Sequence, residues 1–126
     1  MSLYSYLARL EDTLRARRDI DLEHLQLTLT TIGAVIKVEI RFYDGSRLSM
    51  VEEVEKTGLR DIDRIAYKFH YHQADGTLVF RYDNSPHYPH LSTFPSHKHV
   101  GDSVVEAEAP DLADVLREID TMIYPK

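Results

Sequence analysis

Ile36-Lys37-Val38-Glu39-Ile40-Arg41-Phe42-Tyr43-Asp44-Gly45-Ser46-Arg47-Leu48-Ser49-Met50 is the stretch on which the fold turns. From Ile36 to Phe42 the apolar residues fall on every second position, with Lys37, Glu39 and Arg41 between them. A period of two belongs to a strand with one covered and one open face. Asp44-Gly45 is a strong hairpin signal, because glycine adopts the positive φ that a tight turn matching the strand twist requires. Leu48 and Met50 then begin a return strand.

The same logic extends in both directions. Upstream, from Leu22, Leu25, Leu27 and Leu29 alternate with His24, Gln26, Thr28 and Thr30, and Gly33 permits the turn that follows. Downstream, Glu52, Glu53 and Glu55 are expected to solvate the end of the return strand and to deter edge pairing, and Thr57-Gly58 breaks it. Ile65, Tyr67, Phe69 and Tyr71 alternate next, and Asp75-Gly76 leads into Leu78, Phe80 and Tyr82. Val104 and Val105 add a short extended piece. The expected sheet is an antiparallel meander of about five strands.

Two helical stripes flank it. Leu3, Leu7, Leu10 and Leu14, extended by Tyr6, predict a helix over Ser2 to Arg17, with Ser2 as N-cap and Arg9, Glu11, Arg15 and Arg17 facing away. Pro110 opens a second helix carrying Leu112, Val115, Leu116, Ile119 and Met122 on one face, with Asp111 and Asp114 in its first turn to complement the helix dipole. A sheet with one apolar side must cover it, and these helices are the available cover. The expectation is one α+β domain over residues 1–126, with both helices on one face. The other face would carry Lys37, Arg41, Lys68, His70, His72, Val79 and Arg81.

Composition narrows the function. A chain of 126 residues supports one hydrophobic core. No window approaches the roughly 20 apolar residues of a membrane span, and the start lacks the basic cluster and apolar run of a secretory signal. A cytoplasmic protein with no membrane partner is expected. The absence of cysteine removes disulfides and thiolate chemistry. With 21 acidic against 15 basic residues, the molecule as a whole repels polyanions, so any contact with RNA must be local.

The segment Arg81-Tyr82-Asp83-Asn84-Ser85-Pro86-His87-Tyr88-Pro89-His90-Leu91-Ser92-Thr93-Phe94-Pro95-Ser96-His97-Lys98-His99-Val100 departs from this pattern. Three prolines within ten residues predict a stiff, irregular excursion, and four of the seven histidines lie on it. If His97 and His99 are extended, both imidazoles face one spot and Lys98 faces away. Three roles compete for the pair. The histidines could simply hydrogen-bond loop backbone and neighbouring carboxylates such as Asp83. They could act as acid and base on an RNA phosphodiester, with Arg81 or Lys98 stabilising the phosphorane. They could bind a divalent metal, with Asp83, His87 or His90 completing the shell. The second role needs no cofactor. Lys68, His70, Arg81, His97 and Lys98 are candidates for a cationic patch, and Tyr67, Phe69, Tyr71 and Phe80 fall on the core phase. No phosphate-binding glycine loop, dinucleotide fingerprint or serine-nucleophile motif is present.

Phe80-Arg81-Tyr82-Asp83-Asn84, followed by Pro86-His87, Phe94-Pro95 and His97-Lys98-His99, resembles the TumE-type toxins of bacterial toxin–antitoxin systems. Tyr67 to Tyr71, the Asp75-Gly76 hairpin and an acidic closing helix fit as well. The specific pieces are Tyr82-Asp83-Asn84 and His97-Lys98-His99. The resemblance implies a small prokaryotic cytosolic protein neutralised by a DNA-binding antitoxin. The sites expected are catalytic His97, His99, Arg81 and Asp83, and substrate-binding Lys68, His70, Tyr82, Asn84, His87 and Lys98. The partners expected are RNA, an antitoxin protein and a second copy of the chain as a homodimer.

Overall fold

The structure, a computed structural model, describes residues 1–125. After helix α1 (Leu3–Arg15), seven strands follow: β1 (Ile20–Leu29), β2 (Gly33–Phe42), β3 (Arg47–Lys56), β4 (Ile62–His72), β5 (Leu78–Asp83), β6 (His97–Val100) and β7 (Ser103–Glu106). Helix α2 (Leu112–Ile123) closes the order. All seven strands form one antiparallel sheet in sequence order. The α+β architecture is as expected, with two strands more than the five expected. His97–Val100 is a strand rather than part of the excursion, which shrinks to residues 84–96. Its polar residues gave no apolar alternation to read.

Both Asp-Gly dipeptides turn hairpins, with Gly45 at φ 85° and Gly76 at φ 89°. Gly33 is required by close approach, since a Cβ there would sit 1.9 Å from the Val54 carbonyl oxygen. The even-phase residues Ile36, Val38, Ile40, Phe42, Leu48 and Met50 are buried with Tyr67, Phe69, Tyr71 and Phe80. Leu10 and Leu14 of α1 and Leu112, Val115, Leu116, Ile119 and Ile123 of α2 cover them. Ser2 caps α1 by accepting from the Ser5 amide, and Asp111 and Asp114 form a reciprocal capping box at α2. Helix α2 therefore starts after Pro110, at Leu112.

Several side chains depart from the expected pattern for identifiable reasons. Glu52 is on the core phase and buried, not solvated; it pairs with Arg64 at 2.9 Å and accepts a hydrogen bond from the Tyr6 hydroxyl. A bulge opposite Glu53 and Val54 makes this possible, because it moves Arg64 onto the core phase and pushes Ile65 out. A second bulge turns Val79 toward the core instead of the open face. Arg17 does not face away: it bridges Asp19 and Asp120, tying the end of α1 to α2. Met122 sits at the margin of its stripe and is exposed. Leu25, Leu27 and Leu29 pair with core-phase residues of β2 yet stay exposed, so the helices leave this edge uncovered. No described helix is long and apolar enough to cross a membrane.

Candidate functional site

The register of β4, β5 and β6 assembles the site on the face away from the helices. Asp83 stands between Lys68 and His97, and Arg81 between His70 and His99. Residues directly opposite in a ladder share a face, so two rows of polar side chains lie side by side. The loop after β5 folds Tyr88 against both histidine rings, 4.8 Å from His97 and 5.9 Å from His99 between centroids. Lys68, Arg81, Asp83, His87, His97 and His99 line a polar pocket of about 280 Å³.

Asp83 and His97 form its floor and are buried. His97 places Nε2 3.0 Å from Asp83 Oδ1, and Nδ1 2.9 Å from the Pro95 carbonyl. Both nitrogens face oxygen acceptors, so both bonds are made in full only when both nitrogens carry protons. The Ser85 amide donates to Asp83 Oδ1 and Arg81 Nε to Oδ2, so both carboxylate oxygens are held in place. His99 is the opposite case. Its Nε2 lies 3.0 Å from Arg81 Nη2, a donor that is always protonated, so Nε2 accepts and the ring is neutral. Burial lowers the pKa of His99, and the Arg81 and His97 charges act in the same direction against Asp83.

Four of the expected site residues do not line this pocket. Tyr82 and Lys98 point to the helix side, where the hydroxyl and the ammonium both donate to Glu118 of α2 at 2.6 Å. Lys98 also sits over the Phe80 and Tyr82 rings. The cationic patch therefore excludes Lys98. Asn84 accepts from the Tyr67 amide and donates to the Ile65 carbonyl, extending the β4–β5 ladder. His70 neighbours Arg81 but packs against His72. Burial lowers its pKa, aided by His72, Arg81 and Lys68 and opposed by Glu39.

Sequence reasoning missed Tyr88, Ser85 and Glu118. Only Tyr88 carried a signal, as the aromatic residue between two prolines in the histidine-rich segment. Asp83, His97 and His99 offer one nitrogen or oxygen each within 4.8 Å of one another and could hold a metal ion. His87 and His90, the other ligands considered, are not part of that group.

A family model described as Toxin TumE matches residues 8–123, nearly the whole chain. Among curated proteins and among solved structures, none matches it.

Proposed function

Because the chain belongs to the TumE toxin family, we propose that it acts as a toxin by cutting RNA at the pocket above β5 and β6, and that an antitoxin protein restrains it. A toxin of this family implies such a partner. In this proposal His99 is the general base. Its unprotonated Nε2 takes the proton of a 2′-hydroxyl, the 2′-oxygen attacks the adjacent phosphorus, and the bond from phosphorus to the 5′-oxygen breaks. His87, exposed at the pocket's edge, returns a proton to that leaving oxygen. Arg81 shifts from His99 to the phosphate and, with Lys68, stabilises the charge that builds on its oxygens. His97 is assigned a positioning role, since its ring is buried and both nitrogens are engaged.

The observation that carries this proposal is the pairing of a neutral, acceptor-ready imidazole with two cations in an open polar pocket. It explains how an acidic protein could still admit a polyanion, since Lys68 and Arg81 give the site a local positive field. The test is incubation of purified protein with RNA. Fragments ending in a 2′,3′-cyclic phosphate, absent with folded His99→Gln, support it. Intact RNA under conditions where the protein still arrests growth rejects it.

A further inference from the structure

We infer that Asp83, His97 and His99 form a site for one divalent ion of the zinc class, and that this ion halts RNA cleavage by displacing Arg81. The inhibitory half rests on the cleavage proposal above; the binding half does not.

The donor set is two imidazole nitrogens and a carboxylate, a combination that zinc accepts readily. Their spacing fits as well. A tetrahedral ion with bonds of about 2.1 Å holds its ligand atoms about 3.4 Å apart. Here His97 Nε2 lies 3.0 Å from Asp83 Oδ1, and His99 Nε2 lies 3.6 Å from Asp83 Oδ2. The two contacts run to different carboxylate oxygens, and with one donor atom per residue the three lie within 4.8 Å of one another, so the side chains must close by about 1.4 Å at most to reach tetrahedral spacing.

An independent feature points the same way. A metal-binding histidine almost always donates its second ring nitrogen to a fixed acceptor, which sets the tautomer and aims the ligating nitrogen. His97 has this arrangement, with Nδ1 held by the Pro95 carbonyl and Nε2 directed at Asp83. The Ser85 amide orients the carboxylate.

The cation already at this position is the Arg81 guanidinium, bonded to Asp83 through Nε and to His99 through Nη2. Its side chain is 35% exposed whereas those of Asp83 and His97 are 7% and 1%. Arg81 is therefore the member of the cluster nearest solvent, with room to swing out. Coordination would replace the His97 Nε2–Asp83 hydrogen bond and occupy the His99 lone pair that the cleavage reaction uses.

The test is titration of folded, tag-free protein with zinc chloride and with cobalt chloride. One equivalent should bind, with the visible absorption of four-coordinate cobalt. His99→Gln should weaken binding at least tenfold, Arg81→Met should strengthen it by removing the competitor, and His72→Ala should leave it unchanged. No saturable binding, or equal affinity in His99→Gln, overturns the site. Zinc that binds but leaves cleavage unchanged, or that cleavage requires, overturns the inhibition. RNA left intact with and without zinc, while zinc still binds, rejects the cleavage proposal and leaves the site standing.

Discussion

On the helix side of β5 and β6, Tyr82 and Lys98 face each other across the ladder and both bond to Glu118 of α2. On the opposite side, one residue along each strand, Arg81 and Asp83 face His99 and His97 beneath an open pocket. Both clusters are partly buried and charged. On the helix side the ammonium is matched by a carboxylate, and its stem is covered by two rings. Burial alone would pull the Lys98 pKa down, but its bonds to Glu118 and Tyr82 outweigh that and raise it. On the open side one carboxylate serves Arg81, His97 and, more distantly, His99, with Lys68 beside it. The first cluster is satisfied within the fold. In the second, Arg81 is shared between Asp83 and the His99 nitrogen at the mouth of a pocket, so a cation and a lone pair come free together when Arg81 moves.

Substitutions on the two sides should separate these roles. The largest effect is expected from His99→Gln, which should reduce RNA cleavage about 10²- to 10³-fold, in the range of a lost general base, while the folded circular-dichroism spectrum is retained. Equal cleavage by wild type and variant would remove the proposed distinction. Next is Asp83→Ala, which strands a buried imidazole and frees Arg81. It should cost about 3 kcal/mol of stability in urea denaturation, as for a broken buried ion pair, and a loss below 1 kcal/mol would show that the floor is not held by this carboxylate.

Glu118→Ala should cost only about 1 kcal/mol, because Lys98 and Tyr82 can recover water as a partner, and cleavage should be unchanged. A large loss of activity there would mean that the helix side takes part in the chemistry. The smallest effect should come from mild acid. The native pKa values of His70 and His99 are lowered, so the unfolded chain takes up protons first. Stability is then full above the ordinary histidine value of about 6.5 and declines as pH falls through the native values. Thermal melts between pH 7 and 5.5 should show that decline, and it should be shallower in His70→Gln. The Lys98–Glu118 pair, with its raised lysine pKa, should add nothing in this window.

The sequence disclosed the sheet wherever one face is apolar, because a period of two over Ile36 to Phe42 or Tyr67 to Tyr71 has no good alternative. It concealed β6, since His-Lys-His-Val alternates in partner rather than in polarity. It also concealed Glu52, because a bulge one strand away decides whether that carboxylate finds Arg64. The spacing of His97 and His99 put both rings on one side only on the condition of an extended backbone, and Asp83 entered as a nearby carboxylate rather than from any spacing. That Lys98 and Tyr82 turn toward Glu118 depends on where α2 lies, about 20 to 36 residues farther along, which no local pattern reports.

Each strand of this sheet lies beside the one that follows it in the chain. Pairing can thus advance hairpin by hairpin through short loop closures, whose entropic cost is low, at every step but β5–β6, where the connection runs over residues 84–96. The cover behaves differently, since the Arg17–Asp120 clasp joins positions 103 apart in sequence. During synthesis the ribbon can assemble with only α1 over part of its greasy side until α2 emerges, so the interval most exposed to misassembly comes after the strands have formed and before the last helix docks.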